Sequence, residues 1–358
     1  MGLRCGLIGL PSCGKTVIFN AITAAKVPMY NGSEMNRVIV NLPDERLERL
    51  AQMYHPQKVV PATLEVVDIP GIRAEDNGRR FRLLGNIKDA DTLLHVVRCF
   101  SDEEIPLDDV ALDPVRDIET VDLELVTADS ATLENKLNRL AKKVRGGDKD
   151  AIREAEHCEK VLGGIQQGIP VRKQNLAALE LASLRECNLV SLKPVLYIAN
   201  IKTIADADIK PVQTLKQVVS GEGAEMLTVC GKDEADISEL EPAERTIFLK
   251  ELGIEKSAME QLLQAAYRKL GLINFFTVGE DEVRAWTCHR GDKAPVAAGR
   301  IHTDMESGFI RMEVFHYSDL IELGSEAAVA KAGKQHIEGR EYEVQDGDIV
   351  SVLFNKSR

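Results

Sequence analysis

The sequence has no C-x-x-C pair, no long apolar run and no excess of basic charge. Its seven cysteines, at positions 5, 13, 99, 158, 187, 230 and 288, form an odd, unpatterned set. A structural zinc site needs closely spaced ligands, and a disulfide framework needs an even, ordered set. Reduced thiols in a cytoplasm are therefore expected. The apolar runs are strand-sized, too short to cross a bilayer, and no signal segment is read at the amino terminus, so no membrane partner is expected. Lys and Arg number 45 against 57 Asp and Glu, a net charge of −12. Bulk electrostatics would not draw such a chain to nucleic acid or anionic membrane, which leaves room only for a local basic face.

What is present begins with a core. In 358 residues, 44% are apolar, enough for two or three domains. Leu3-Arg4-Cys5-Gly6-Leu7-Ile8 reads as a buried strand, and residues 17–25 carry Ile18, Phe19 and Ile22 at helical spacing. Between them lies Gly9-Leu10-Pro11-Ser12-Cys13-Gly14-Lys15-Thr16, a G-x-x-x-x-G-K-[ST] phosphate-binding loop with Val17 just behind it. Glycines let backbone N–H groups turn towards phosphate, and the helix start adds its positive dipole end. Lys15 is expected at the β- and γ-phosphates and Thr16 on Mg²⁺, with ATP or GTP as ligand.

A second motif, Asp68-Ile69-Pro70-Gly71, fits D-x-x-G at the end of a β-branched strand. Asp68 is expected beside the loop on the Mg²⁺ side, and the Gly71 N–H as a γ-phosphate sensor. Ile72 follows where many GTPases carry a water-orienting Gln. Arg73, Arg79, Arg80 and Arg82 are read as a solvated helix face or, less favoured, as phosphate or RNA contacts.

Further on, residues 92–100 read as a central strand, with His95 as a core residue. Residues 119–144 place Val126, Leu133, Leu137, Leu140 and Val144 on a coiled-coil-like seam. Gly146-Gly147-Asp148 ends that helix, and 151–165 forms a second, giving an antiparallel hairpin. The strand pattern resumes at Pro194 and ends at Asn200-Ile201-Lys202-Thr203, with no carboxylate at the fourth place to read guanine. Cys230-Gly231-Lys232 follows the next strand as a second base-contacting loop. From residue 274 short strands and turns indicate a small α+β domain. Arg284, Arg290, Lys293, Arg300 and Arg311 are the candidates for any local RNA face there. Trp286 reads as core or, less favoured, as a stacking group.

The order of these motifs resembles the YchF, or Obg-like ATPase, family. The resemblance is carried by His95-Val96-Val97-Arg98-Cys99-Phe100, by Lys193 to Asn200, and by Arg284-Ala285-Trp286-Thr287, Gly308-Phe309-Ile310-Arg311 and Gln345-Asp346-Gly347-Asp348. It implies an α/β P-loop domain with a mostly parallel sheet at 1–118 and 193–272. It also implies an inserted helical hairpin at 119–192 and a carboxyl-terminal β-grasp (TGS) domain at 273–358. Implied too are a hydrophobic residue at Ile72, ATP at least as good as GTP, and association with ribosomes or RNA through the hairpin and TGS domain. Ser12 and Cys13 replace the family's Asn-Val, and Leu107 stands where it often has His. A divergent member is expected. Two functions stay open: a slow NTPase switch, or a nucleotide-binding adaptor that hardly hydrolyses.

Overall fold

The computed structural model describes residues 3–23, 36–69, 87–101, 111–251 and 256–355. They divide into two compact units: Met1–Val40 with Glu65–Leu262, and Asn41–Leu64 with Leu263–Arg358.

In chain order the first unit opens with β1 (Arg4–Ile8), α1 (Lys15–Thr23) and β2 (Asn36–Asn41). The chain then leaves it for α2 (Glu45–Tyr54) and β3 (Lys58–Val60), and returns as β4 (Thr63–Asp68) and β5 (Thr92–Arg98). Next come α3 (Pro114–Arg145), α4 (Lys149–Gln166) and α5 (Ala178–Leu184). After them follow β6 (Val195–Asn200), α6 (Lys210–Gly221), β7 (Glu225–Val229), α7 (Gly231–Glu239), α8 (Pro242–Glu251) and α9 (Ala258–Lys269). The strands lie in the order β2-β4-β1-β5-β6-β7, with β4, β1, β5, β6 and β7 paired parallel. All seven residues of β5 and all six of β6 are buried, as parallel strands covered on both faces require. This register brings the carboxyl ends of β1, β4, β5 and β6 to one edge of the sheet, the edge on which open α/β sheets build their sites.

The hairpin runs longer than its seam suggests. α3 starts at Pro114, with Asp113 capping the Val115 and Arg116 N–H groups, and spans 32 residues. At 1.5 Å per residue that is about 48 Å. Gly147, at φ +78°, makes the turn, and Asp148 caps α4. Each such cap is worth about 1 kcal/mol. Val126, Leu133, Cys158, Val161 and Ile165 pack together under Leu184 and Cys187, so the seam is real, while Leu140 and Val144 are only half-buried.

The second unit holds a sheet in the order β11-β10-β12-β8-β9-β3. Its strands are β8 (Leu272–Thr277), β9 (Glu282–His289), β10 (Phe309–His316), β11 (His336–Glu338), β12 (Asp348–Phe354) and the distant β3. The helix Ala294–Ile301, α10, buries Ala294, Ala297 and Ala298 against Phe275, Met312 and Val350, a β-grasp arrangement. The segment 41–64 corrects the expected division, which counted it with the nucleotide domain. The two strands on either side of Pro61, β3 and β4, lie in different sheets. Pro61 donates no N–H and falls where the chain crosses between them. β3 pairs parallel with β9 through Lys58↔Glu282 and Val60↔Arg284. Asp44 caps α2 and accepts from Asn274 Nδ2 at 3.0 Å, and Arg46 Nη1 pairs with Asp346 at 3.1 Å. All seven cysteines are free and buried, and no helix among the described residues is long and apolar enough to cross a membrane.

Candidate nucleotide site

The loop after β1 is built by close approach. At Gly9 (φ +146°) a Cβ would lie 2.4 Å from the Val96 carbonyl oxygen, and at Gly14 (φ +93°) 2.2 Å from Asn200 Nδ2. No other residue fits either place. Ser12 takes φ +60° at the tip. Lys15, the first residue of α1, folds its ammonium back over the loop and donates to the Gly9 carbonyl at 3.0 Å and the Leu10 carbonyl at 2.7 Å. Leu10, Pro11 and Val17 are half-buried around it, and Cys13 is buried beneath. Burial pushes the Cys13 thiol up against the pull of Lys15, so it stays protonated.

Thr16 and Asp68 meet across 52 residues, the hydroxyl donating to Asp68 Oδ2 at 3.3 Å. Parallel pairing makes this possible, because Leu7 lies opposite Asp68. Asp68 Oδ1 is buried and has no hydrogen-bond partner among the described residues. Burial pushes this carboxyl up, while Lys15, Thr16 and Asn36 pull the other way. Asn36 was not singled out from the sequence. It lies at the start of the edge strand β2, and no motif marks it.

Asn200 is a brace. Its Nδ2 donates to the Cys13 carbonyl at 2.9 Å, and its Oδ1 accepts from the Gly231 N–H at 3.1 Å. The P-loop, the end of β6 and the start of α7 are thus tied by one buried amide. Ile201 is buried, and Cys230 Sγ donates to the Lys202 carbonyl at 3.1 Å, so these side chains serve the loops themselves. Lys232 is exposed. At Thr203, where a guanine-reading acid would stand, both N–H and hydroxyl donate to Asp206 Oδ2, at 3.1 and 3.0 Å. Gly71, Ile72, the arginines at 73–82 and Leu107 lie outside the described residues.

His95 is a core residue, 1% exposed, with its ring 5.5 Å from Tyr197. Trp286 is half-buried against the second unit's core; it donates Nε1–H to Thr277 Oγ1 at 2.9 Å and carries Arg284 4.7 Å above its ring.

Comparison with known proteins places this geometry. The Ribosome-binding ATPase YchF of Bacillus subtilis (strain 168) is 41% identical over 367 residues, covering 99% of this chain and 100% of that protein. The chain belongs to the YchF family. The protein of the same name from Escherichia coli O157:H7 is 39% identical over 364 residues, at 99% and 100% coverage. The Schizosaccharomyces pombe YchF GTPase structure matches with a TM-score of 0.87 at 31% identity, covering 98% of each chain. A family model described as 50S ribosome-binding GTPase matches residues 4–143. A model for the carboxyl-terminal part of YchF GTPases, described as a protein of unknown function, matches 272–355. The P-loop unit of this YchF member is accordingly a nucleotide-binding domain.

Proposed function

We propose that this YchF member is a slow cytoplasmic nucleoside triphosphatase that binds ATP or GTP with Mg²⁺ and acts as a nucleotide-dependent switch on ribosomes. The ribosome-binding name of its relatives supports the partner. The observation that carries the chemistry is Lys15 poised over a glycine-shaped loop with Thr16 and Asp68 at its side. Lys15 neutralises charge on the β- and γ-phosphates, the main task in phosphoryl transfer. Thr16 and the unpartnered Asp68 Oδ1 fit Mg²⁺, the carboxylate acting through a bound water. When bound, the ion supplies charge neutralisation between phosphate oxygens. The Gly71 N–H senses the γ-phosphate. Asn200, Ile201 and Cys230-Gly231-Lys232 border the base through their backbone. With Thr203 bonded to Asp206, no carboxylate stands at the usual guanine-reading place, which supports tolerance of adenine.

Leu107, where the family often has His, favours a second reading, a nucleotide-binding adaptor with little hydrolysis. One experiment separates the two: affinity and turnover for ATP and GTP side by side, with and without ribosomes, in wild type and Lys15→Ala. Hydrolysis that ribosomes stimulate and Lys15→Ala abolishes supports the switch. Tight binding with background turnover throughout supports the adaptor. Full hydrolysis by Lys15→Ala overturns the assignment of the site.

A further inference from the structure

Asp68 is held differently from the other buried aspartates of its unit. Asp129 accepts the Val190 and Ser191 N–H groups, both at 2.8 Å, and Asp122 holds Arg172 and Lys173. Asp68, 7% exposed, receives the Thr16 hydroxyl at 3.3 Å and keeps Oδ1 unpartnered among the described residues. Lys15 supplies positive charge nearby, but its ammonium donates to the Gly9 and Leu10 carbonyls. A buried carboxylate left this open is costly until a ligand completes it.

The neighbouring edge strand sets one more group beside it. β2 lies next to β4. Leu42, just past β2, donates its N–H to the carbonyl of Ala62, just before β4, at 2.8 Å. The end of β2 thus meets the start of β4, and the two strands run antiparallel. Stepping two residues at a time from that pair sets Val40 opposite Leu64, Val38 opposite Val66, and Asn36 opposite Asp68. Burial follows this register. Leu64, Val66 and Asp68 are buried, and Asn36, Val38 and Val40 are more enclosed than Arg37, Ile39 and Asn41. Directly opposite side chains share a face, with Cβ atoms about 5 Å apart. Because β2 runs against its neighbours, its amino end reaches the sheet edge that carries the P-loop.

Asn36 is a poor choice for the strand itself. Asn is depleted in strands, and the next two inward places hold valine. An apolar side chain at 36 would face a buried charge. A carboxamide donates N–H to a carboxylate, and Asn36 favours the ionised form of Asp68. Being neutral, it adds no charge that would compete with a cation. An ionised, steadied carboxylate with one oxygen left open suits a hard divalent cation and its bound water.

We propose that Asn36 is a positioning residue of the Mg²⁺ site, its carboxamide holding the Asp68 carboxylate in the orientation that leaves Oδ1 free for an ion held with Thr16. The proposal rests on the Mg²⁺-nucleotide reading above and names a residue that sets the affinity for the ion. Asn36 acts through Asp68, so its removal weakens the response to Mg²⁺ and spares nucleotide binding without Mg²⁺.

The test uses the full chain, a fluorescent ATP analogue and a Mg²⁺ titration, with EDTA as the metal-free limit. Asn36→Val removes the amide and suits a strand. Asn36→Thr has nearly the same shape and restores one donor. Val38→Ala weakens the same strand from the next inward place. Asn36→Val is expected to raise the Mg²⁺ concentration of half-maximal response by about tenfold, the low end for groups that orient metal ligands, and to leave affinity in EDTA unchanged. Asn36→Thr should recover part of that shift. Val38→Ala should lower the urea midpoint and keep the wild-type Mg²⁺ midpoint. In an Asp68→Ala background, Asn36→Val and Asn36→Thr should not differ. A shift that Val38→Ala reproduces, that Asn36→Thr leaves whole, or that comes with an equal loss of affinity in EDTA overturns the proposal. A wild type whose ATP binding ignores Mg²⁺ overturns the proposed site and the role of Asn36 together. A wild type that responds to Mg²⁺, with Asn36→Val responding identically, overturns the role of Asn36 alone.

Discussion

Asn200 donates from its buried Nδ2 to the Cys13 carbonyl at 2.9 Å, joining the end of β6 to the P-loop across 187 residues of sequence. The other amide atom holds the Gly231 N–H. Both ends of the amide are used, so the phosphate loop is held in shape by a residue whose usual sequence label is base recognition.

Asn200→Ala is expected to weaken ATP binding by about tenfold and to destabilise the protein by about 1–3 kcal/mol, since it leaves a buried donor and acceptor unpaired. A fluorescent-nucleotide titration and a denaturant midpoint measure the two. Gly14→Ala should behave similarly, because its Cβ would meet Asn200 Nδ2 at 2.2 Å. Wild-type affinity in both variants would remove the brace from the account of binding.

The root of the hairpin is fixed by charge. Asp122 on α3 binds Arg172 and Lys173, Arg172 also reaches the Tyr197 hydroxyl, and Lys173 and Tyr197 both bind Glu222. Burial alone would push the Asp122 carboxyl up; the Arg172 and Lys173 charges reverse this and hold it below its ordinary value. Asp122→Asn should cost about 3–5 kcal/mol, because it leaves the Arg172 guanidinium uncompensated in a largely buried place, while Lys173 keeps Glu222. Asp122→Leu combined with Arg172→Leu should recover part of that loss. Urea unfolding of the three proteins checks it, and equal stability of Asp122→Asn and wild type contradicts it.

His95 supplies a pH dependence. Burial lowers its pKa to about 3, against an ordinary value of 6.5. The unfolded chain therefore binds the proton first, and stability is full above about pH 6.5 and falls with acidification between that value and about 3. The contribution of this one group is at most about 1.4 kcal/mol per pH unit. Replacing it by Phe should flatten that part of the stability curve, and an unchanged slope in His95→Phe excludes His95 as its source.

Asp44 holds the inserted segment within the second unit. Asp44→Ala removes the cap of α2 and one partner each of Arg46 and Asn274, leaving Arg46 with Asp346. A loss of about 1–2 kcal/mol is expected, by analogy with other capping residues. Hydrogen exchange should quicken in α2, β3 and β9 while β1 and β5 keep their protection. Equal loss of protection in β1 would contradict the placement of 41–64 in the second unit.

Much was legible from patterning. The P-loop showed itself because strand, glycine loop and helix adjoin in sequence. β5 and β6 showed themselves because strands buried on both faces are apolar throughout. The hairpin showed itself through the recurrence of Val126, Leu133 and Leu137. Asn36 beside Asp68 and the double duty of Asn200 were not legible, because each depends on strands adjacent in space but not in sequence. Nor was the fate of α2: Leu47 and Leu50 announce an apolar face without saying which core it joins.

For this YchF member, the sequence alone determined the chemistry of the phosphate loop, since Gly9, Gly14, Lys15 and Thr16 act through local backbone geometry and a fixed charge. It also determined that a long hairpin interrupts the sheet, through helical periodicity. Tertiary structure alone decided that residues 41–64 belong with the carboxyl-terminal sheet and that Asn200 clamps the P-loop. It also decided which cations are neutralised and by which carboxylates. Pairing energies depend on distance and burial, and those are properties of the packed chain.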